Sequence, residues 1–82
     1  MNVTLKLFAS LAEYLPSGAV KNAIEIEVRD DTTPNRLIER FRLPEREVHL
    51  VLLNGIFLDP AARDTPMRDS DVLAVWPPVA GG

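Results

Sequence analysis

The chain has 82 residues, 46% hydrophobic and 26% charged, with nine Lys/Arg against twelve Asp/Glu and a formal net charge of −3. This is the size and composition of one small globular domain whose single core only just outweighs chain entropy, which argues against a second domain or a deep private cleft. The absence of cysteine excludes a disulfide framework, a thiolate metal site and a cysteine nucleophile, and the basic residues are scattered among acids instead of forming the basic face that nucleic acid requires.

The opening MNVTLKLFAS lacks a charged region followed by a long apolar stretch, and no run approaches membrane-spanning length, so a cytoplasmic protein with no membrane partner is expected. Within it, NVTLKLF alternates. Val3, Leu5 and Leu7 share one face and Thr4 and Lys6 the other, the period-2 pattern of a half-buried strand. In SLAEYLP, Ser10 and Glu13 have capping-box spacing, which predicts a short helical turn ending before Pro16. Residues 23–28, AIEIEV, alternate again and predict a second strand after a turn at Gly18.

The segment DDTTPNRLIERFRLP is the one proper helix. Thr33 can cap it, Pro34 suits its first position, Asp30 and Asp31 sit at the positive end of its dipole, and Leu37, Ile38 and Phe41 share a face before Pro44 stops it. Residues 48–58, VHLVLLNGIFL, form an apolar run broken by Asn54-Gly55, a strong hairpin signal because both residues tolerate positive φ. The unbroken apolarity of Val51, Leu52 and Leu53 predicts a strand covered on both sides. After the polar loop DPAARDTPMRDSD comes a last strand, VLAVW, residues 72–76. With one helix available, the economical solution is an α+β two-layer domain, a mixed sheet of about five strands with the helix across one face. The opposite face must then be polar or cover a partner.

Catalytic chemistry finds few candidates. His49 lies in a strand pattern with no neighbouring Ser or Asp to suggest a triad, so it is expected to be a structural or surface residue. The four glycines, Gly18, Gly55, Gly81 and Gly82, form no phosphate-cradling cluster before a helix. Asp64, Asp69 and Asp71 could be read as a metal site, but carboxylates in a polar loop far more often mark a solvated turn, and no metal is expected.

The tail VWPPVAGG remains. Residues 1–77 are expected to form the domain and residues 78–82 a flexible tail. With Gly at roughly 7% of residues, a Gly pair at a given place arises by chance in ~0.5% of sequences, so its position after a last strand and two prolines is informative. Glycine has no Cβ, so another protein's groove can close tightly around Gly81, and the Gly82 carboxylate can be brought against a nucleotide phosphate. Extended, Pro78 to Gly82 reach roughly 17 Å, enough to enter a partner's active site while the domain stays outside. A carboxylate is a poor acyl donor, and joined to AMP it becomes a good one.

The whole length resembles the ubiquitin-like β-grasp sulfur carriers, which include the small subunit of molybdopterin synthase and the thiazole-forming carrier of thiamine synthesis. The matching stretches are LKLFASLAEYLP, VLLNG before the hairpin, MRDSDVLAVWPP and the final PPVAGG. The ending and LFASL look more like the molybdopterin synthase subunit. Where the family usually has an Asp-Gly-Asp turn, this chain has Asp69-Ser70-Asp71.

The resemblance implies a β-grasp fold and a substrate protein, not an enzyme. An E1-like adenylating enzyme would use ATP to activate the Gly82 carboxylate, and a sulfur donor would convert the acyl-adenylate to a thiocarboxylate. The large subunit of molybdopterin synthase, or another acceptor enzyme, would then take the sulfur, and the carrier itself would bind no cofactor. The partner-binding surface it implies is Phe8, Phe57 and Trp76 on the sheet, with Pro77, Pro78, Val79 and Ala80 leading to Gly81 and Gly82. Phe8 has the outward parity of Thr4 and Lys6, where a large aromatic is more often a contact than an accident. For Phe57 and Trp76 core packing is equally compatible with such short strands. Three functions stay open: a sulfur carrier for molybdopterin, thiamine or another pathway; a ubiquitin-like modifier joined to lysines through Gly82; and a protein-binding domain with an idle tail.

Overall fold

In the computed structural model, which describes residues 1–78, the alternation over NVTLKLF becomes strand β1 (Asn2–Leu7), with Val3, Leu5 and Leu7 fully buried. The chain then turns at Ala9, whose φ is 52°, into a 3-10 helix over Ala9–Tyr14. The expected capping box is not what starts it. The cap position is Phe8, without a side-chain hydrogen bond, and Ser10 already lies inside the first turn. Burial of Leu11 holds this tight turn against the sheet.

Strand β2 (Ala23–Glu27) begins after a bend at Gly18 and a second, tighter turn at Lys21-Asn22. There Val20 and Ala23 exchange backbone hydrogen bonds of 2.9 and 3.0 Å around two residues of positive φ. Asn22 suits such a turn because asparagine tolerates the left-handed region, and its Nδ2 donates to the Leu7 carbonyl at 2.9 Å, tying the turn to β1.

Helix α1 (Pro34–Arg40) starts as the sequence predicts. Thr33 is the cap, its Oγ1 accepts from the Arg36 N–H at 3.1 Å, and Pro34 holds the first position. Leu37 is buried, and Ile38 and Phe41 pack half-buried against the same core. Asp30 and Asp31 fall before the first turn: Asp30 pairs with the Met1 amine at 3.3 Å and Asp31 with Arg29 at 3.4 Å. The helix closes with Arg42 at φ 57° and a bond from the Leu43 N–H to the Ile38 carbonyl, 3.2 Å, ahead of Pro44.

Strands β3 (Leu50–Leu53) and β4 (Ile56–Phe57) form the hairpin around Asn54 and Gly55, at φ 52° and 82°. Positive φ at both central residues matches the twist of the flanking strands. Strand β5 (Val72–Trp76) completes a mixed sheet of order β2-β1-β5-β3-β4, in which β1 and β5 run parallel and the other neighbours antiparallel. Helix α1 covers the face carrying Val3, Leu5, Leu7, Val51, Leu73 and Val75. The result is the expected two-layer architecture.

The polar loop before β5 is pinned at both ends. Met67 is buried and its N–H donates to Thr32 at 2.8 Å. At the other end Ser70 takes φ 72°, the conformation for which a glycine is ordinarily used. A non-glycine residue there costs roughly 1–2 kcal/mol, and glycine loses roughly 0.5–1 kcal/mol to unfolded-state entropy. Ser70→Gly is therefore expected to raise stability by up to about 1 kcal/mol, read as a higher denaturant midpoint with an unchanged slope.

Candidate functional site

The strand register decides which side chains meet on the face away from α1. Leu5 pairs with Leu73 and Leu7 with Val75, both toward the core, so Lys6 and Phe8 on β1 and Ala74 and Trp76 on β5 point outward. Across β5, Leu50 lies opposite Trp76 and Leu52 opposite Ala74, and beyond Leu52 lies Phe57 of β4. Phe8 reaches the row of Trp76 because its N–H donates to the Val75 carbonyl at 3.2 Å. The two rings stack 4.3 Å apart and 5° from parallel.

Two rows of the outer face are therefore apolar: Phe8, Trp76 and Leu50 in one, Ala74, Leu52 and Phe57 in the next. Phe57 is 56% exposed and Leu50 37%. A chain this small that leaves aromatic and aliphatic side chains contiguous and open to water presents a surface suited to another protein. The far end of the same face is polar, with Thr4 opposite Glu25 and Asn2 opposite Glu27.

Of the three aromatics named from sequence, Phe8 and Trp76 stack on one another, and Phe57 lies two strands from Trp76 on the same face; Phe57 and Trp76 both have outward parity. The reading of β3 as a strand covered on both sides is corrected. Val51 is buried beneath α1, but the register turns Leu52 to the open face, where no element of the described chain covers it. Neither Leu50 nor Leu52 is among the surface residues expected from sequence, where Leu52 belongs to the strand covered on both sides. Their signal is present in the apolar run, which carries apolar residues on both parities, Leu50 and Leu52 as well as Val51 and Leu53, where a one-sided strand needs only one parity.

The chain leaves the sheet at the edge of this patch. His49, itself exposed, donates its backbone N–H to the Trp76 carbonyl at 3.0 Å, carrying the pairing to the end of β5. Pro77, half-buried, and Pro78, exposed, follow. Neither has an N–H to continue the ladder. Val79, Ala80, Gly81 and Gly82, which hold most of the expected tail, lie outside the described residues.

The loop carboxylates are occupied locally. Asp64 accepts from Asn35 Nδ2 at 2.8 Å, Asp69 from the Asn2 N–H at 2.8 Å, and Asp71 from Asn54 Nδ2 and the Arg68 N–H, both at 2.8 Å. These bonds close turns, and among the described residues no three His, Cys, Asp or Glu side chains gather to hold a metal ion. No helix among them is long and apolar enough to cross a membrane.

The ThiS family model matches residues 5–82. No curated protein matches the sequence. Among solved structures, the fold is similar to the HVO 2177 protein of Haloferax volcanii, with 30% identity and a TM-score of 0.74 over 100% of this chain and 87% of that one. It is similar to SAMP1 of the same organism, at 27% identity and a TM-score of 0.69 over the whole of both chains. It is also similar to a chain described as subunit 1 of the molybdopterin converting factor of Pyrococcus furiosus, at 25% identity and a TM-score of 0.68 over 95% of this chain and 98% of that one. The chain belongs to the ThiS family and has the ubiquitin-like β-grasp fold of its sulfur carriers.

Proposed function

We propose that the chain is a sulfur carrier whose Gly82 carboxylate is activated and thiolated by partner proteins, and that it serves molybdopterin biosynthesis. The observation that carries this reading is the exit of the chain from β5, through Pro77 and Pro78, at the border of the only large aromatic surface on the described sheet. A partner seated on Phe8, Trp76, Leu50 and Phe57 has the last residues within reach of its own active site. The domain supplies the address and Gly82 supplies the acyl group.

The chemistry requires two displacements. In the E1-like adenylating enzyme, a Gly82 carboxylate oxygen attacks the α-phosphate of ATP, and pyrophosphate leaves. A sulfide-level nucleophile then attacks the acyl carbon and AMP leaves, giving the thiocarboxylate. The large synthase subunit takes that sulfur for the pterin dithiolene, and hydrolysis of the spent acyl group restores the carboxylate. Gly81 and Gly82 present no side chain to either active site. The carrier is the substrate in each step, ATP is bound by the activating partner, and the cycle is placed in the cytoplasm.

One observation favours a second reading. The similar Haloferax chain SAMP1 is named small archaeal modifier protein 1, which points to attachment of Gly82 to lysine amines after the same activation. The two readings separate by product. A carrier isolated from its host holds a terminal thiocarboxylate, and a modifier gives higher-mass conjugates on a denaturing gel.

A further inference from the structure

We infer that Lys6 is the residue that selects the docking partner by charge, and that the partner's surface carries a carboxylate opposite it. The inference rests on the proposed activation of Gly82 and adds the electrostatic requirement for it. Lys6 sits on the open face of β1, with Ala23 on one side and Ala74 on the other, and Phe8 two residues along the same strand. It is the charged side chain among the positions that form the two apolar rows, and it is half-buried there.

Its ammonium is engaged in no ion pair or hydrogen bond within the described chain, where the ion pairs are Met1 with Asp30 and Arg29 with Asp31. Of the outward carboxylates of the sheet, Glu25 lies opposite Thr4, diagonal to Lys6 on the same face, and forms no ion pair with it, and Glu27 lies opposite Asn2, two residues further along β2. A protein that covers Phe8 and Trp76 must also take water from Lys6. Desolvating an unpaired ammonium is unfavourable, whereas a carboxylate placed against it offsets that cost and rejects partners that lack one.

The test is ATP–pyrophosphate exchange by the E1-like adenylating enzyme of the same host, with the full chain as the varied substrate. Lys6→Glu is expected to raise KM for the carrier at least tenfold with kcat unchanged, because the change is on the docking face and leaves the reacting Gly82 carboxyl itself unaltered. Lys6→Arg keeps the charge and is expected to stay within about threefold of wild type. Lys6→Met is expected to fall between them and to flatten the rise of KM with salt, since the attractive pair is gone. A circular-dichroism melt of each variant excludes unfolding as the cause. Equal KM and equal salt dependence for wild type and Lys6→Glu overturn the inference and leave the proposed function standing. Absence of exchange with the unaltered chain overturns both.

Discussion

Deletion of Gly82 is expected to abolish activation of the chain and sulfur transfer while leaving its melting temperature unchanged within error. The separation follows from where the two properties reside. Among the described residues the buried cluster runs from Val3 to Val75, and the sheet pairing extends to Trp76. Removing the residue six positions beyond Trp76 leaves every member of that described cluster in place, and glycine has no side chain to bury. Chemically the same deletion withdraws the terminal carboxyl from the position at which a partner would meet ATP, and a displacement of one residue, roughly 3.5 Å, exceeds the tolerance of a near-attack geometry. Gly81→Ala keeps the reach and adds one methyl group where the backbone must be closely surrounded, so its defect is expected in activation kinetics and not in the melt. A deletion variant that still receives and donates sulfur would remove Gly82 from the mechanism.

The second large effect is expected at Trp76. Its ring is stacked on Phe8 and flanked by Leu50 on an open face, so Trp76→Ala removes the centre of the apolar patch. Central aromatic anchors of protein interfaces commonly contribute 2 kcal/mol or more, so binding to the adenylating enzyme is expected to weaken about thirtyfold or more. The cost to folding is smaller, because Trp76 is only half-buried and a stacked pair adds about 0.5–1.5 kcal/mol beyond area. Phe8→Ala is expected to weaken binding as well, and the double variant by less than the product of the two, since each ring orders the other. Isothermal titration against the enzyme, with a denaturant melt of each variant, separates the contributions. A Trp76→Ala protein that melts far lower yet binds normally once folded would make the residue core and not contact.

Those two expectations draw on different kinds of legibility. The alternation of Val3, Leu5 and Leu7, the Thr33-Pro34 helix start and the Asn54-Gly55 hairpin are local signals, and each appears in the structure where it was read. Local signals fail where a neighbour distant in sequence decides. The capping-box spacing of Ser10 and Glu13 is overridden because the chain turns one residue sooner, at Ala9, to bury Leu11. Asp30 and Asp31 were placed on the helix dipole, yet Asp30 instead meets the Met1 amine, brought near because the Val28 N–H pairs with the Met1 carbonyl at 2.8 Å.

The surface patch shows the same division. Phe8 could be placed outward because β1 is long enough to fix its parity. Phe57 and Trp76 could not, because a two-residue strand and the last position of a five-residue strand acquire parity only from their partners. Leu50 and Leu52 were hidden for a related reason: an unbroken apolar run is as compatible with burial on both sides as with one exposed apolar side. The parallel pairing of β1 with β5 makes the difference, bringing Phe8 beside Trp76 across most of the sequence.

The most direct test of sulfur carriage is the intact mass of the protein isolated from its own host under denaturing, non-reducing conditions. The account predicts a fraction in which one oxygen is replaced by sulfur, with fragmentation placing the change at Gly82. A mass without that replacement in any fraction, from cells actively making the cofactor, would contradict it.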